Sequence, residues 1–233
     1  MSQIKRVTIY GDSIMNGTVM DDSHNYITIM EEALQRFLYL FHVEANNRSH
    51  YGMTIEQGRK VLDYDLKKGL ACDYALIAFG GNDCNFKWNE ISERPGDVHF
   101  PRTLPERFVE TLRGMVKDIR SAGVTPVLMS LPPIDAEKYL AFLGRRGNDC
   151  ANLLQWLGDV QMIYRFHESY SRAIERLSIE TGAKLVDVRA YFLDKHNFRE
   201  LICDDGIHPN REGHKLLFAA FSDFASSLLP QPA

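Results

Sequence analysis

The chain has 233 residues, 45% of them hydrophobic and 25% charged, proportions ordinary for a globular protein and far from those of disordered, collagen-like or disulfide-stapled chains. Lysine and arginine number 27 against 31 aspartate and glutamate, for a net charge of −4 with no basic run, so a nucleic-acid phosphate backbone is not an expected partner. No stretch approaches the roughly 20 consecutive apolar residues of a membrane-spanning helix.

Residues 1–10 enter a strand-like segment without the apolar region of a secretory signal, which makes the cytoplasm the expected compartment. Residues 6–10 are the first expected strand. Ile27, Met30, Leu34, Phe37, Leu38 and Phe41 recur at spacings of three and four as one helical stripe, and residues 41–48 read as the second strand. Thr54-Ile55-Glu56-Gln57 reads as a capping box that opens a helix. Residues 74–79 are apolar enough for a strand covered on both faces. A second capping box at residues 103–106 precedes the apolar face of Phe108, Leu112, Met115, Val116 and Ile119, and Ala122-Gly123 ends that helix. Strands over 126–131 and 184–188 follow. Asn210 then opens a last helix with Leu217, Ala220, Phe221, Phe224 and Leu228 on one stripe.

Strands and helices alternate throughout, and no repeat or linker divides residues 1–233 into two domains. The expected architecture is α/β: a three-layer αβα sandwich around a five-stranded parallel sheet with right-handed crossovers. Two connections, 85–102 and 134–160, are longer than such folds need and are expected to wall a pocket. The first carries Phe86, Trp88, His99 and Phe100; the second carries Tyr139, Phe142, Arg145, Arg146 and Trp156. Covering a helix or a homo-oligomer contact is the other use of these aromatics, and nothing in the sequence fixes the oligomeric state.

Ligands of open parallel sheets bind beyond the carboxyl ends of the strands. Gly11-Asp12-Ser13 follows the first strand, Tyr51-Gly52 the second, and Gly80-Gly81-Asn82-Asp83 the third. Asp205-Gly206-Ile207-His208 precedes the last helix. A serine hydroxyl is a weak nucleophile at neutral pH, so it needs an adjacent base, and the base needs a partner to fix its tautomer. Ser13, His208 and Asp205 supply those roles. Asp204 competes for the imidazole, and the spacing favours Asp205. An oxyanion needs fixed donors, each worth about 3 kcal/mol. The backbone N–H groups of Ser13 and Gly52 and the amide of Asn82 can provide them.

These blocks, in this order and covering nearly the whole chain, resemble those of the SGNH, or GDSL, hydrolases. The resemblance implies a flavodoxin-like sheet of order 2-1-3-4-5 and a serine esterase mechanism. It implies Ser13 as nucleophile, His208 as general base, Asp205 as its orienting carboxylate, and Gly52 and Asn82 as oxyanion donors. No Gly-x-Ser-x-Gly elbow is present, because Met15 stands where the second glycine would be. Substrate choice does not transfer with the mechanism. The expected substrate is a small or soluble ester, such as an acetylated carbohydrate or a short-chain ester.

Around the triad, Asp12, Asp83, Phe86, Trp88, His99 and Tyr139 are expected at the pocket, with Asp12 and Asp83 as loop-fixing groups rather than catalysts. Taken alone, Ser13 would also fit as the cap of a following helix. Cys72, Cys84, Cys150 and Cys203 form no C-x-x-C pair, and no three ligands assemble for a catalytic zinc, so neither metal nor cofactor is expected. The same triad can pass its acyl group to an alcohol or amine, as an acyltransferase does. A non-catalytic small-molecule binding protein is a third reading, disfavoured because a binder needs neither base nor oxyanion donors.

Overall fold

The computed structural model describes residues 4–29, 39 and 41–228. Val7, Thr8 and Ile9 are successive β-branched residues that favour extended backbone, and they form the middle of β1 (Lys5–Gly11). On one side β1 pairs in parallel with β4 (Val43–Asn47), Lys5 opposite Val43; on the other it pairs with β5 (Tyr74–Ala78), Val7 opposite Tyr74. β6 (Thr125–Met129) joins β5 with Thr125 opposite Tyr74, and β7 (Lys184–Val186) joins β6 with Lys184 opposite Val127. The order is β4-β1-β5-β6-β7. Counted through these five strands alone it is 2-1-3-4-5, so the sheet grows outward in both directions from β1 and β5, and a crevice opens where that direction changes.

Neighbouring residues on a strand point to opposite faces. Tyr10, Ala75, Ile77 and Leu128 go to one face, under α1 (Ile55–Lys67), α3 (Pro105–Ser121) and α6 (Gln161–Thr181). Ile9, Leu76, Ala78, Val127 and Met129 go to the other, under α7 (Val188–Leu193) and α8 (Arg211–Leu228). These are the two helical layers of the sandwich.

Both long connections carry helices of their own. Residues 85–102 contain α2 (Trp88–Glu93), and residues 134–160 contain α4 (Ala136–Arg145) and α5 (Cys150–Leu157). Phe86, Trp88, Ile91, Tyr139, Leu143 and Leu153 bury one another in a third apolar cluster, separate from the two on the sheet faces. Phe100 takes no part in it and is 66% exposed.

Three local expectations are corrected. A two-stranded antiparallel ribbon, β2 (Thr18–Met20) with β3 (Tyr26–Thr28), follows β1 directly. Ile27, expected on a helix, lies in β3, and Met30, Leu34, Phe37 and Leu38 of the same stripe lie outside the described residues. The capping box at residues 103–106 does not form. Leu104 caps α3 instead, with Pro105 in the first turn, where a missing N–H costs nothing. The box at Thr54 does form: the Thr54 backbone N–H donates to Gln57 Oε1 at 2.8 Å. Likewise Asn210 Oδ1 accepts the Glu212 and Gly213 N–H groups of α8, each at 3.1 Å. No helix among the described residues is long and apolar enough to cross a membrane.

Candidate active site

Ser13 lies just beyond the carboxyl end of β1. A cap for a following helix is not its setting, since residues 13–17 are turns closed by Asn16 N–H to Asp12 carbonyl at 3.1 Å and Thr18 N–H to Ser13 carbonyl at 3.0 Å. The Asp12 carboxylate, not the Ser13 hydroxyl, accepts the Ile14 N–H at 3.0 Å. Ser13 Oγ is therefore free to face the loop before α8, where it stands 2.8 Å from His208 Nε2.

That loop is folded around Asp205. One carboxylate oxygen accepts the Ile207 and His208 N–H groups, both at 3.0 Å, and the other stands 2.5 Å from His208 Nδ1. Asp205 is fully buried. Burial alone would push its carboxyl up, but the His208 hydrogen bond and charge and the two backbone donors outweigh it, and the net direction is down. A carboxylate that stays ionised takes a proton on Nδ1 as donor and leaves Nε2 to accept from the serine hydroxyl.

Gly206 permits the turn at φ +78; a Cβ there would come within 2.3 Å of the Tyr139 nitrogen and 2.6 Å of the Asp135 carbonyl. Asp204, the competitor, is exposed, and its carbonyl accepts from Arg145 Nη2 at 2.8 Å.

Ser13, His208, Gly52 and Asn82 border one cavity of about 510 Å³, within the usual range for small-molecule sites. Gly52 holds φ +73, a left-handed turn that side chains disfavour. Among the described residues, the backbone N–H groups of Ser13 and Gly52 have no partner. Asn82 is held from both ends: its Nδ2 donates to Asp12 Oδ2 at 3.2 Å, and its Oδ1 accepts from Arg102 Nη1 at 3.4 Å. One amide hydrogen is left over. Burial pushes the Asp12 carboxyl up to about 6, against the pull of the Ile14 N–H, the His208 charge and Asn82.

Of the residues expected at the pocket, Asp12, Phe86, Trp88 and Tyr139 border the cavity; Asp83 and His99 do not. Asp83 is fully buried behind it. It accepts the Ile55 N–H at the start of α1 at 3.0 Å and the Thr103 hydroxyl at 2.6 Å, and burial still pushes its carboxyl up to about 6. His99 turns aside to the Arg94 carbonyl at 2.9 Å and packs edge-on to Trp156. Trp88, Tyr139 and Asn85 brace one another: Trp88 Nε1 donates to Tyr139 Oη at 3.0 Å, and Tyr139 Oη donates to Asn85 Oδ1 at 2.9 Å.

Sequence reasoning missed two aromatic neighbours of the imidazole. Tyr26 of β3 meets the His208 ring edge-on at 5.2 Å, and Tyr51 lies nearly parallel to it, 18° apart at 6.0 Å. Tyr51 adjoins Gly52 in the sequence, a signal that was available; Tyr26 sits on the unforeseen ribbon and carried none. His167 also borders the cavity from α6 and is buried, its Nδ1 without a hydrogen-bond partner among the described residues.

Cys84 Sγ donates to the Gly81 carbonyl at 3.3 Å, Cys203 Sγ accepts the Met20 N–H at 3.4 Å, and burial pushes both thiols up, Cys203 to about 11. Among the described residues no three His, Cys, Asp or Glu side chains cluster as a metal ion would require.

The fold is similar to that of a lipase/acylhydrolase from Enterococcus faecalis, at 17% identity over 98% of this chain and 99% of that one, with a TM-score of 0.69. It is also similar to a catalytic mutant of an acetylxylan esterase from Geobacillus stearothermophilus (16% identity, 97% and 96% coverage, TM-score 0.67). A GDSL-like lipase from Bacteroides thetaiotaomicron compares at 18% identity, 97% and 90% coverage and a TM-score of 0.63. No curated protein sequence matches. The sequence pattern of one family spans residues 9–216, and on that match the chain belongs to the GDSL-like lipase/acylhydrolase family, an enzyme of the hydrolase kind.

Proposed function

We propose that this enzyme is a serine esterase that hydrolyses a carboxylic ester through an acyl-enzyme on Ser13. The observation that carries the reading is the continuous hydrogen-bond chain from Ser13 Oγ to His208 at 2.8 Å and from His208 to Asp205 at 2.5 Å, beside two backbone N–H groups without a partner among the described residues. Ser13 Oγ attacks the ester carbonyl carbon while His208 Nε2 takes the hydroxyl proton. The carbonyl oxygen becomes an oxyanion, and the N–H groups of Ser13 and Gly52 and the spare amide hydrogen of Asn82 stabilise it. His208 then returns its proton to the departing alcohol oxygen as the C–O bond breaks. A water attacks the acyl-Ser13 carbonyl, again losing its proton to His208, and the acid leaves as the serine is restored.

Asp205 keeps Nδ1 protonated and stabilises the imidazolium that each step forms. Tyr51, stacked near the imidazole face, favours that cation further, since an aromatic face attracts positive charge within about 6 Å. The substrate is a small or soluble ester, such as an acetylated carbohydrate or a short-chain ester. Aromatic Trp88 and Phe142 with the amides Asn85, Asn89 and Asn148 around the cavity suit such a molecule, and an acetylxylan esterase shares the fold.

Turnover of p-nitrophenyl acetate tests the reading. Wild-type protein is expected to release p-nitrophenol and acetate catalytically, and Ser13→Ala to lose at least about 10³-fold in kcat. Equal turnover by the two proteins would refute it.

A further inference from the structure

The charge on the cavity wall is mostly positive. Lys87, Arg102 and Arg146 border it, and the one carboxylate on that wall among the described residues, Asp12, is buried and occupied with Ile14 and Asn82. Lys87 is neutralised by Glu90 at 2.9 Å. Neither Arg102 nor Arg146 has a carboxylate within 4.0 Å among the described residues, although the protein as a whole is acidic at −4.

Both side chains are also held at the rim. The Arg146 guanidinium lies 5.9 Å from the Phe142 ring centre, at the end of α4. Arg102 is anchored by its backbone N–H to the Asn85 carbonyl at 2.8 Å and by its side chain to Asn82. A guanidinium offers a planar fork of donors that matches a carboxylate or a phosphate, and a cleft lined by cations raises the local concentration of anions.

We propose that the substrate carries an anionic oxyacid group, a carboxylate or a phosphate, apart from its scissile ester, and that Arg102 and Arg146 receive it. This assignment rests on the esterase reading above and narrows its substrate class. The anion can sit on the acyl or on the alcohol side of the ester, and Arg102, through Asn82, couples its binding to the oxyanion donor.

The test compares matched pairs of substrates. On the acyl side the pair is p-nitrophenyl hemisuccinate against neutral p-nitrophenyl butyrate; on the alcohol side it is acetylated glucose 6-phosphate against acetylated glucose. The expected result is a higher kcat/KM for the charged member of at least one pair. That preference should shrink as salt is raised through the range where exposed charges are screened. It should also drop about fivefold in Arg146→Gln, the size of one partly exposed ion pair of about 1 kcal/mol. A preference indifferent to salt and to Arg146→Gln, or a preference for the neutral member in both pairs, would overturn the proposal.

A binding arm separates this idea from the chemistry. Ser13→Ala protein titrated by calorimetry with monomethyl succinate and with methyl butyrate reports on the anion alone. Salt-sensitive binding of the succinate without turnover by the wild type would keep the anion site and remove the esterase reading. Turnover with no discrimination by charge would do the reverse.

Discussion

Asn82 illustrates how a single neutral side chain is aimed. An amide can rotate end for end, but Asp12 takes a donor hydrogen and Arg102 supplies a donor to the oxygen, so only one orientation satisfies both. If the remaining hydrogen serves the oxyanion, it matters when charge develops and little when substrate merely binds. Asn82→Ala is therefore expected to lower kcat about 10²-fold with KM nearly unchanged; a rise in KM at constant kcat would assign it to substrate binding instead. At this scale much of the site was legible. Ser13, Gly52 and Asn82 follow strand ends, and Asp205 and His208 share a short loop before the last helix, local patterns that sequence displays. Tyr26 was not, because an aromatic residue outside any motif reads as core or surface alike; Tyr51 was overlooked although it adjoins Gly52. His99 failed for the opposite reason: its position on a promising loop says nothing of the Arg94 carbonyl that claims its ring.

At the scale of elements, one buried carboxylate ties three segments together. Asp83, beyond the end of β5, holds the first N–H of α1 and the Thr103 hydroxyl ahead of α3, and the Thr103 carbonyl accepts in turn from Tyr170 Oη of α6. The negative charge also faces the positive end of the α1 dipole. Thr103→Val keeps the shape and removes the donor, leaving a buried charge with one partner fewer. It is expected to destabilise the fold by about 1–3 kcal/mol, read as a lower denaturation midpoint with an unchanged slope; an unaltered midpoint would contradict the role. The sequence offered Thr103 as a helix cap, since Thr-x-x-Glu is a local signature, and the competing partner lay 20 residues upstream where no local rule looks. The ribbon of β2 and β3 was hidden likewise. Its strands are three residues long, too short to show alternation, and Ile27 happens to fall in phase with a helical stripe. The long strands and amphipathic helices, by contrast, repeat their pattern often enough to be read.

At the scale of the whole molecule, buried titratable groups set the response to acid. Burial, with the neighbouring Arg189 charge, holds His167 down at about 3, and burial holds His214 down at about 4, each from the ordinary 6.5. Below pH 6.5 the unfolded chain therefore binds protons that the native protein refuses, and stability falls as pH drops. Asp12 and Asp83, raised from 3.8 to about 6, act in the opposite sense between pH 6 and 4, where the native protein binds the extra protons. Replacing one histidine isolates its share. His214→Gln is expected to lose about 2 kcal/mol less stability than the wild type between pH 7 and pH 5, measured by denaturant unfolding at both values; parallel losses would show that His214 does not resist protonation in the fold. The overall architecture was the most legible feature, because five apolar or alternating strands separated by amphipathic helices admit few arrangements. Which walls rise above the sheet was not, since α2, α4 and α5 bury their apolar faces mainly on one another. The most direct test of the central claim, that these scattered segments build one nucleophile, is labelling with a fluorophosphonate followed by peptide mapping. Stoichiometric phosphonylation at Ser13, abolished in Ser13→Ala and strongly slowed in His208→Ala, is the predicted result; undiminished labelling of Ser13→Ala, or modification at a different serine, would contradict it.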